Sequence, residues 1–203
     1  MKKISLLLFA ISSLFFACQN GKDSSNDESN NLFPIWENGK VGYMDKEGKV
    51  VIDPQFDMAG GFSEGLACVR IGDRESGKLG YIDKTGKMVI DPQFDMASDF
   101  SEGLALVNFD DMFGYIDKTG KFAIDPQFDW AGGFSEGLAS VRITDGDSDK
   151  CGYIDKTGTF VIAPQFDQAA GFSEGLALVG FGDWLSSKWG YIDKTGKVIW
   201  SEK

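Results

Sequence analysis

The 203-residue chain contains no histidine, and this absence removes several classes of chemistry. Histidine is the commonest general base near neutral pH and a frequent metal ligand, so triads, dyads and zinc sites built on it are excluded. The other polar side chains form no unique catalytic cluster in the sequence. We therefore expect no enzymatic activity, no metal and no cofactor.

Basic residues are also scarce. The chain has 20 Lys and Arg against 31 Asp and Glu, which gives a formal net charge of −11. A chain this acidic repels phosphate backbones, and no basic stripe offsets the repulsion. Nucleic acid is therefore excluded as an expected partner.

The first long hydrophobic run lies at the N-terminus. Lys2 and Lys3 precede an apolar segment over residues 4–16, which small Ala17 follows. A charged start before a short apolar segment is typical of a secretory signal, and the segment is too short for a membrane-spanning helix. We expect residues 1–17 to be a signal peptide, whose removal lowers the net charge from −11 to −13 because Lys2 and Lys3 leave with it.

The signal ends in the run Leu14-Phe15-Phe16-Ala17-Cys18. This run resembles the lipobox of bacterial lipoproteins, with Phe15 where that family usually has leucine. The resemblance implies a lipid on Cys18, and acyl chains anchor firmly since each buried methylene contributes about 0.8 kcal/mol.

Residues 18–31 follow the signal and contain no hydrophobic residue after Cys18. Such a segment cannot bury a core, so we expect a flexible acidic tether. Residue 19 is Gln rather than Asp. By resemblance to the usual sorting rule of lipoproteins, this implies a location in the outer membrane rather than retention in the inner membrane. We expect the protein to contact the membrane through this lipid anchor only.

Residues 32–203 are built from a repeated motif. A Gly-Tyr pair recurs at spacings of 38, 34, 38 and 38 residues, beginning at Gly42, Gly80, Gly114, Gly152 and Gly190. Pro-Gln-Phe-Asp begins at Pro54, Pro92, Pro126 and Pro164, and Phe-Ser-Glu-Gly-Leu-Ala begins at Phe62, Phe100, Phe134 and Phe172. A regular period of this length indicates one structural unit repeated along the chain and stabilised by its neighbours.

Each unit divides into three strand-like pieces. The second and third should form a hairpin, because the residues Asp83–Lys87 suit a type I turn in which Gly86 takes positive φ. The sequence predicts an all-β tandem array of five three-stranded units, open and superhelical, with a closed propeller-like ring as the alternative. The units span residues 32–53, 66–91, 104–125, 138–163 and 176–203.

The link Pro92–Gly103 between two units carries apolar residues of its own. Pro92 should end the preceding strand, since proline cannot donate to a ladder. The three-residue spacing of Phe94, Ala97 and Phe100 favours one short helical turn. The expected core of one unit comprises Tyr81, Ile82, Val89, Ile90, Phe94, Phe100 and Leu104.

The run Lys-Trp-Gly-Tyr-Ile-Asp-Lys-Thr-Gly-Lys over residues 188–197 resembles the bacterial WG repeat, also called KWG. The resemblance recurs five times and covers residues 32–203. Trp189 is the only tryptophan at its position, which Val41, Leu79, Phe113 and Cys151 occupy in the other units. The family implies a β-rich repeat protein, often exported, without an established enzymatic activity.

Two sets of carboxylates recur in four units: Asp57, Asp95, Asp129 and Asp167, and Glu64, Glu102, Glu136 and Glu174. A catalytic pair is needed once, so repetition favours a structural role such as accepting backbone N–H bonds. The two internal cysteines, Cys68 and Cys151, occupy different repeat positions, and we expect both to be small core residues without a disulfide.

Positions that differ between repeats are the candidates for binding. Met58, Met96 and Trp130 are equivalent to one another, and Trp184 and Leu185 lie in a divergent connection. We expect a non-catalytic protein of the cell envelope that binds an unidentified envelope protein or glycan through this surface. A structural spacer without a specific ligand is the alternative, and a hydrolase with two carboxylates is the least favoured.

Overall fold

The computed structural model describes residues 31–145, 148–182 and 188–203. These ranges contain nineteen strands and no helix. The strands form five antiparallel sheets that follow one another in chain order, which confirms the predicted all-β array of five units. No helix in these ranges has the length and hydrophobicity that a membrane span requires.

The first sheet has three strands and each later sheet has four, always in a meander. Sheet 1 contains β1 (Phe33–Glu37), β2 (Lys40–Met44) and β3 (Val50–Phe56). Sheet 2 contains β4 (Met58–Ser63), β5 (Leu66–Ile71), β6 (Lys78–Asp83) and β7 (Met88–Phe94). Sheet 3 contains β8 (Met96–Ala97), β9 (Ala105–Phe109), β10 (Met112–Ile116) and β11 (Phe122–Phe128). Sheet 4 contains β12 (Trp130–Ala131), β13 (Ala139–Asp145), β14 (Ser148–Ile154) and β15 (Phe160–Phe166). Sheet 5 contains β16 (Gln168–Ala169), β17 (Leu176–Phe181), β18 (Lys188–Asp193) and β19 (Val198–Ser201).

The predicted hairpin turn is present between β6 and β7. The Asp83 side chain accepts hydrogen bonds from the backbone N–H and the hydroxyl of Thr85 and from the N–H of Lys87. Gly86 has φ +83° and donates its N–H to the carbonyl of Asp83. The hydrogen bond from Thr85 lowers the pKa of Asp83, so the carboxylate stays ionised and holds the turn at neutral pH.

The links between units differ from the prediction, because they contain a short strand where a helical turn was expected. β8 pairs with β9 and supplies a fourth strand to the sheet that follows the link. After this strand, Glu102 and Gly103 both have positive φ, and Ser101 and Leu104 bond to each other across them. Two successive left-handed residues form the tight hairpin turn that suits the twist of the flanking strands, so the link is a hairpin.

Pro92 does not end its strand, contrary to the prediction. β7 continues to Phe94, and its pairing with β6 shifts register across Pro92. The strand tolerates proline because it is the edge of its sheet, where the missing N–H faces away from the ladder. The shift brings the edge backbone across Gly80, where a Cβ would lie 2.5 Å from the carbonyl oxygen of Ile90. This close approach explains the glycine of the Gly-Tyr pair.

Val89 was expected in the core but is 41% exposed. Tyr81 pairs with Ile90 and Ile82 pairs with Met88, which leaves Val89 as the extra residue of a β-bulge. A bulge re-aims the side chain at its extra residue, and here it turns a valine towards solvent. Leu104 is only partly buried, whereas the other five predicted core residues of this unit are buried.

The hydrophobic core lies between the sheets, in four separate clusters. One cluster joins Tyr81, Ile90 and Phe94 of sheet 2 to Phe100 and Val107 of the next unit. The other three clusters join sheets 1 and 2, 3 and 4, and 4 and 5 in the same way. Among the described residues, five sheets thus share four interfaces. This is the pattern of an open stack, since a closed ring of five would need a fifth interface.

In sheets 1 to 4 the tyrosine of the Gly-Tyr pair binds the following unit. The Tyr115 hydroxyl donates to the carbonyl of Gly132 at 2.6 Å, and its ring packs against Phe134 with centroids 4.8 Å apart. Tyr43, Tyr81 and Tyr153 make equivalent hydrogen bonds to the next unit. Burial raises the pKa of the Tyr115 and Tyr153 hydroxyls well above the usual range, so both remain protonated donors.

Replacing Tyr115 by phenylalanine should lower the free energy of unfolding by about 1–2 kcal/mol, because the half-buried carbonyl of Gly132 loses its donor. The matched control is Tyr191→Phe, whose wild-type hydroxyl occupies the same repeat position but lies on an exposed ring. Urea denaturation of both variants measures the difference. Equal effects of the two substitutions would contradict the assigned role of the hydroxyl.

Candidate functional site

The repeated glutamates join one sheet to the next. The Glu102 carboxylate accepts the N–H of Gly137 at 3.1 Å and lies 3.0 Å from the Lys156 ammonium. Glu64 and Glu136 make the same pair of contacts with the following unit. Glu102 itself has φ +55°, a strained value for a residue with a side chain, and these contacts offset the strain.

The repeated aspartates also have structural partners. Asp57 accepts the Lys40 ammonium at 2.6 Å and the N–H of Gly72 at 2.9 Å, which connects sheet 1 to sheet 2. Its hydrogen bond from Lys40 lowers its pKa below the usual value. Asp129 and Asp167 likewise accept backbone N–H bonds. Both carboxylate sets therefore hold the stack together, as their repetition indicated.

The described residues contain no group of three or more acidic or cysteine side chains that could hold a metal ion. Cys68 and Cys151 are buried and form no disulfide, which confirms the predicted small core residues. Burial raises the pKa of the Cys151 thiol, so it remains protonated at neutral pH. The repeated carboxylates thus make contacts between sheets, and the two cysteines pack in the core.

Three of the predicted binding residues, Met58, Met96 and Trp130, each begin the first strand of a sheet. Met96 and Trp130 begin the short strands of sheets 3 and 4 and are 38% and 37% exposed. Met58, at the same position in sheet 2, is partly buried against the core. Trp184, Leu185 and Cys18 lie outside the described residues. The structure thus places two of the predicted side chains at equivalent exposed positions of neighbouring sheets.

A second apolar surface lies on the opposite edge, and sequence reasoning missed it. The last strand of every sheet carries the β-bulge described for Val89, at Val51, Val89, Ala123, Val161 and Ile199. Each of these side chains is exposed. We call these five residues the bulge ridge. In the sequence these residues belong to an apolar run in each edge strand, a pattern that is typical of a strand buried on both faces.

The ridge is widened by the residue that precedes each bulge. Val50, Phe122, Phe160 and Val198 are exposed, while Met88 is partly buried. Phe122 packs edge-on against Phe94 of the preceding sheet, with centroids 6.4 Å apart. Apolar side chains exposed at the same position of every sheet suit contact with another macromolecule.

Comparison with known proteins bears on the repeat itself. The family model described as WG containing repeat matches residues 42–74, 80–112, 113–146, 152–183 and 189–199. The chain belongs to the WG-repeat family. No curated protein matches the chain. Each of the first four WG matches begins in the second-to-last strand of one sheet and ends after the second strand of the next. One sequence repeat therefore encodes one interface between sheets.

One carboxylate in this WG-repeat protein breaks the repeat pattern. Asp99 stands where the other links have Gly61, Gly133 and Gly171. Among the described residues its Oδ1 is buried without a hydrogen-bond partner, and burial raises its pKa to about 6. The ionised form of Asp99 therefore costs stability at neutral pH, since no cation of the described residues compensates its desolvation.

Asp99→Asn should raise the free energy of unfolding at pH 7.5 by about 1–2 kcal/mol, because it removes the buried charge. The folded-state pKa of this acid lies above its ordinary value of 3.8, so the cost is complete above about pH 6 and disappears as pH falls towards 4. Urea denaturation at pH 7.5 and pH 5.0 should show the gain shrinking at the lower pH. Asp91→Asn, at an exposed site, is the control, and a gain independent of pH would refute this account.

Proposed function

We propose that this WG-repeat protein is a non-catalytic binding protein of the cell envelope that holds an extended protein partner along the bulge ridge. The observation that carries the proposal is the ridge itself, in which all five sheets turn an apolar side chain to solvent at the same position. Solenoids commonly bind extended ligands on such repeated surfaces.

The edge strands favour a particular mode of binding. An exposed edge invites the addition of a further strand, but bulges and prolines oppose such pairing. Both features occur in β7, which bulges at Val89 and shifts register across Pro92. The partner therefore contacts the side chains of the ridge rather than extending the ladder. Apolar contacts of this kind favour a protein over a glycan, which needs aromatic platforms and hydrogen-bonding groups.

The opposite edge, with Met96 and Trp130, is the predicted surface for a protein or a glycan and remains a second candidate. The exposed indole of Trp130 favours it, since tryptophan is enriched at binding hot spots. Only the two neighbouring sheets 3 and 4 carry exposed large apolar residues at this position. The ridge offers the longer surface, and the two edges can be tested separately.

Attachment is part of the same proposal. Residues 1–17 are removed as a signal peptide, Cys18 carries the lipid, and residues 18–31 space the folded domain from the outer membrane. The support for this is the charged start, the apolar segment and the Ala17-Cys18 junction.

Mass spectrometry of the purified N-terminal peptide should find a chain that begins at Cys18 and carries acyl mass. Cys18→Ser should abolish the acyl mass and release the protein from the membrane fraction. An acyl-free mature chain that begins at another residue would refute the anchoring. Cys68→Ser is the matched control, since this thiol is buried in the folded domain.

Charged substitutions on the ridge should abolish partner binding without unfolding the protein. In the Val51→Lys/Val89→Lys/Val161→Lys variant, each exposed site should change stability by only about 0.5 kcal/mol. The control is Gln55→Lys/Gln93→Lys/Gln165→Lys, which places the same charge on exposed sites of the same strands. Detergent-solubilised envelope proteins are captured on the immobilised full-length protein, and each captured partner is then purified and titrated.

The expected result is a partner whose affinity falls at least tenfold in the ridge variant and little in the glutamine control. Retention of every partner by the ridge variant would disprove the proposal. Loss of binding in Trp130→Ala instead would assign the function to the opposite edge. Absence of any specific partner would favour a structural spacer.

A further inference from the structure

The last sheet exposes the face that the other four sheets bury. Tyr191 is 42% exposed, whereas the tyrosines at the same position of sheets 1 to 4 are fully buried. Trp200 is 53% exposed, and its ring lies 6.4 Å from that of Tyr191. Leu176 is also exposed, although Leu66 and Leu138 at the same position are buried. We call the face formed by Tyr191, Trp200, Leu176, Ser173 and Glu174 the terminal face.

The four internal interfaces show what such a face binds. Tyr153 donates its hydroxyl to the carbonyl of Ala170 and packs its ring against Phe172 at 4.9 Å. Ser135 donates its hydroxyl to the carbonyl of Phe172 at 2.8 Å. Glu136 accepts the N–H of Gly175 and the Lys194 ammonium at 3.0 Å each. Sheets 2, 3 and 4 therefore each recognise an aromatic ring, two link carbonyls, one glycine N–H and one lysine of the next unit.

The terminal face carries the same recognition groups. Tyr191, Ser173 and Glu174 occupy the positions of Tyr153, Ser135 and Glu136. Glu174 has φ +53°, the conformation of the three glutamates that bind the next unit. Among the described residues, neither Glu174 nor the Tyr191 hydroxyl has a partner of this kind. The strained turn is thus formed before any partner is bound.

We propose that the terminal face is a docking site for the link and lysine-bearing turn of a WG-type repeat unit from another protein. The occupant supplies a phenylalanine ring for Tyr191 and a glycine N–H and a lysine ammonium for Glu174. The proposal is independent of the bulge ridge, because the two surfaces share no residue.

Charge and burial argue against a second copy of this chain. The link phenylalanines of a copy, Phe62, Phe100, Phe134 and Phe172, are already buried in its own interfaces. Two terminal faces brought together would place their glutamates near each other, in chains of formal charge −11. A partner with an exposed lysine instead complements Glu174, as Lys194 complements Glu136.

Trp200 adds a steric condition. It stands where the other units have Ile52, Ile90, Ile124 and Ile162, each of which contacts the turn glycine of the next unit. A Cβ on Gly196 would lie only 3.1 Å from the Ile162 side chain, so this contact has little free space. The turn of the occupant must therefore pack beside the Trp200 indole. In the Trp200→Ile variant a repeat unit should approach the terminal face more closely.

The test uses the full-length protein and a polypeptide with the sequence of residues 54–94, which contains one link, one sheet and no tryptophan. Tryptophan fluorescence and calorimetry follow the titration. Glu174→Gln and Tyr191→Ala test the face, and Lys84→Gln and Phe62→Ala in the polypeptide test its two contacts. Glu37→Gln, at an exposed site of sheet 1, is the matched control. A fusion with the same 41 residues after Lys203 shows by hydrogen exchange whether this sequence can fold on the face.

We expect saturable binding that each test variant weakens at least fivefold, that the control leaves unchanged and that Trp200→Ile strengthens. The Glu174→Gln and Lys84→Gln effects should not add, because they remove the same contact. The proposal is overturned if binding is insensitive to Glu174→Gln and Tyr191→Ala, or occurs only with Trp200→Ile. It is also overturned if the fused unit stays unprotected, or folds while the free polypeptide fails to bind.

Discussion

The structure depends on one constraint, which is that each sheet has two apolar faces and can bury them only against its neighbours. The tyrosine of the Gly-Tyr pair meets this constraint with a single side chain. Its ring fills the space between two sheets, and its hydroxyl satisfies a carbonyl of the next link. Because the same contact recurs at four interfaces, the stability of the array comes from contacts between neighbouring sheets. The described residues form four separate clusters rather than one central core.

The polar residues of the repeat serve the same interfaces. A glutamate in a catalytic pair would need an environment unlike that of its partner, whereas Glu64, Glu102 and Glu136 make identical contacts with glycine and lysine. Their left-handed backbone is tolerated because the contact with the next sheet stabilises it. This explains why the most repeated carboxylates of the chain build the stack.

Much of the local structure could be predicted from the sequence, and the failures have a common origin. The Asp83–Lys87 turn was predicted because a turn depends on nearby residues, and Gly86 has the expected positive φ. The short strand Met96–Ala97 was missed because two residues carry no periodicity, and only pairing with β9 makes them a strand. Val89 was assigned to the core because an apolar run is typical of a strand buried on both faces, and the sequence does not show which residue is the extra one of a bulge.

The sequence by itself determined the number of units, the hairpin turns and the structural role of the repeated carboxylates, because these follow from period and from contacts between residues close along the chain. Tertiary structure alone decided which apolar residues face solvent. The bulge ridge depends on register between strands, and the terminal face depends on which sheet lacks a neighbour among the described residues. Identical repeat residues such as Tyr153 and Tyr191 are buried or exposed according to position in the stack, and no local pattern encodes that position.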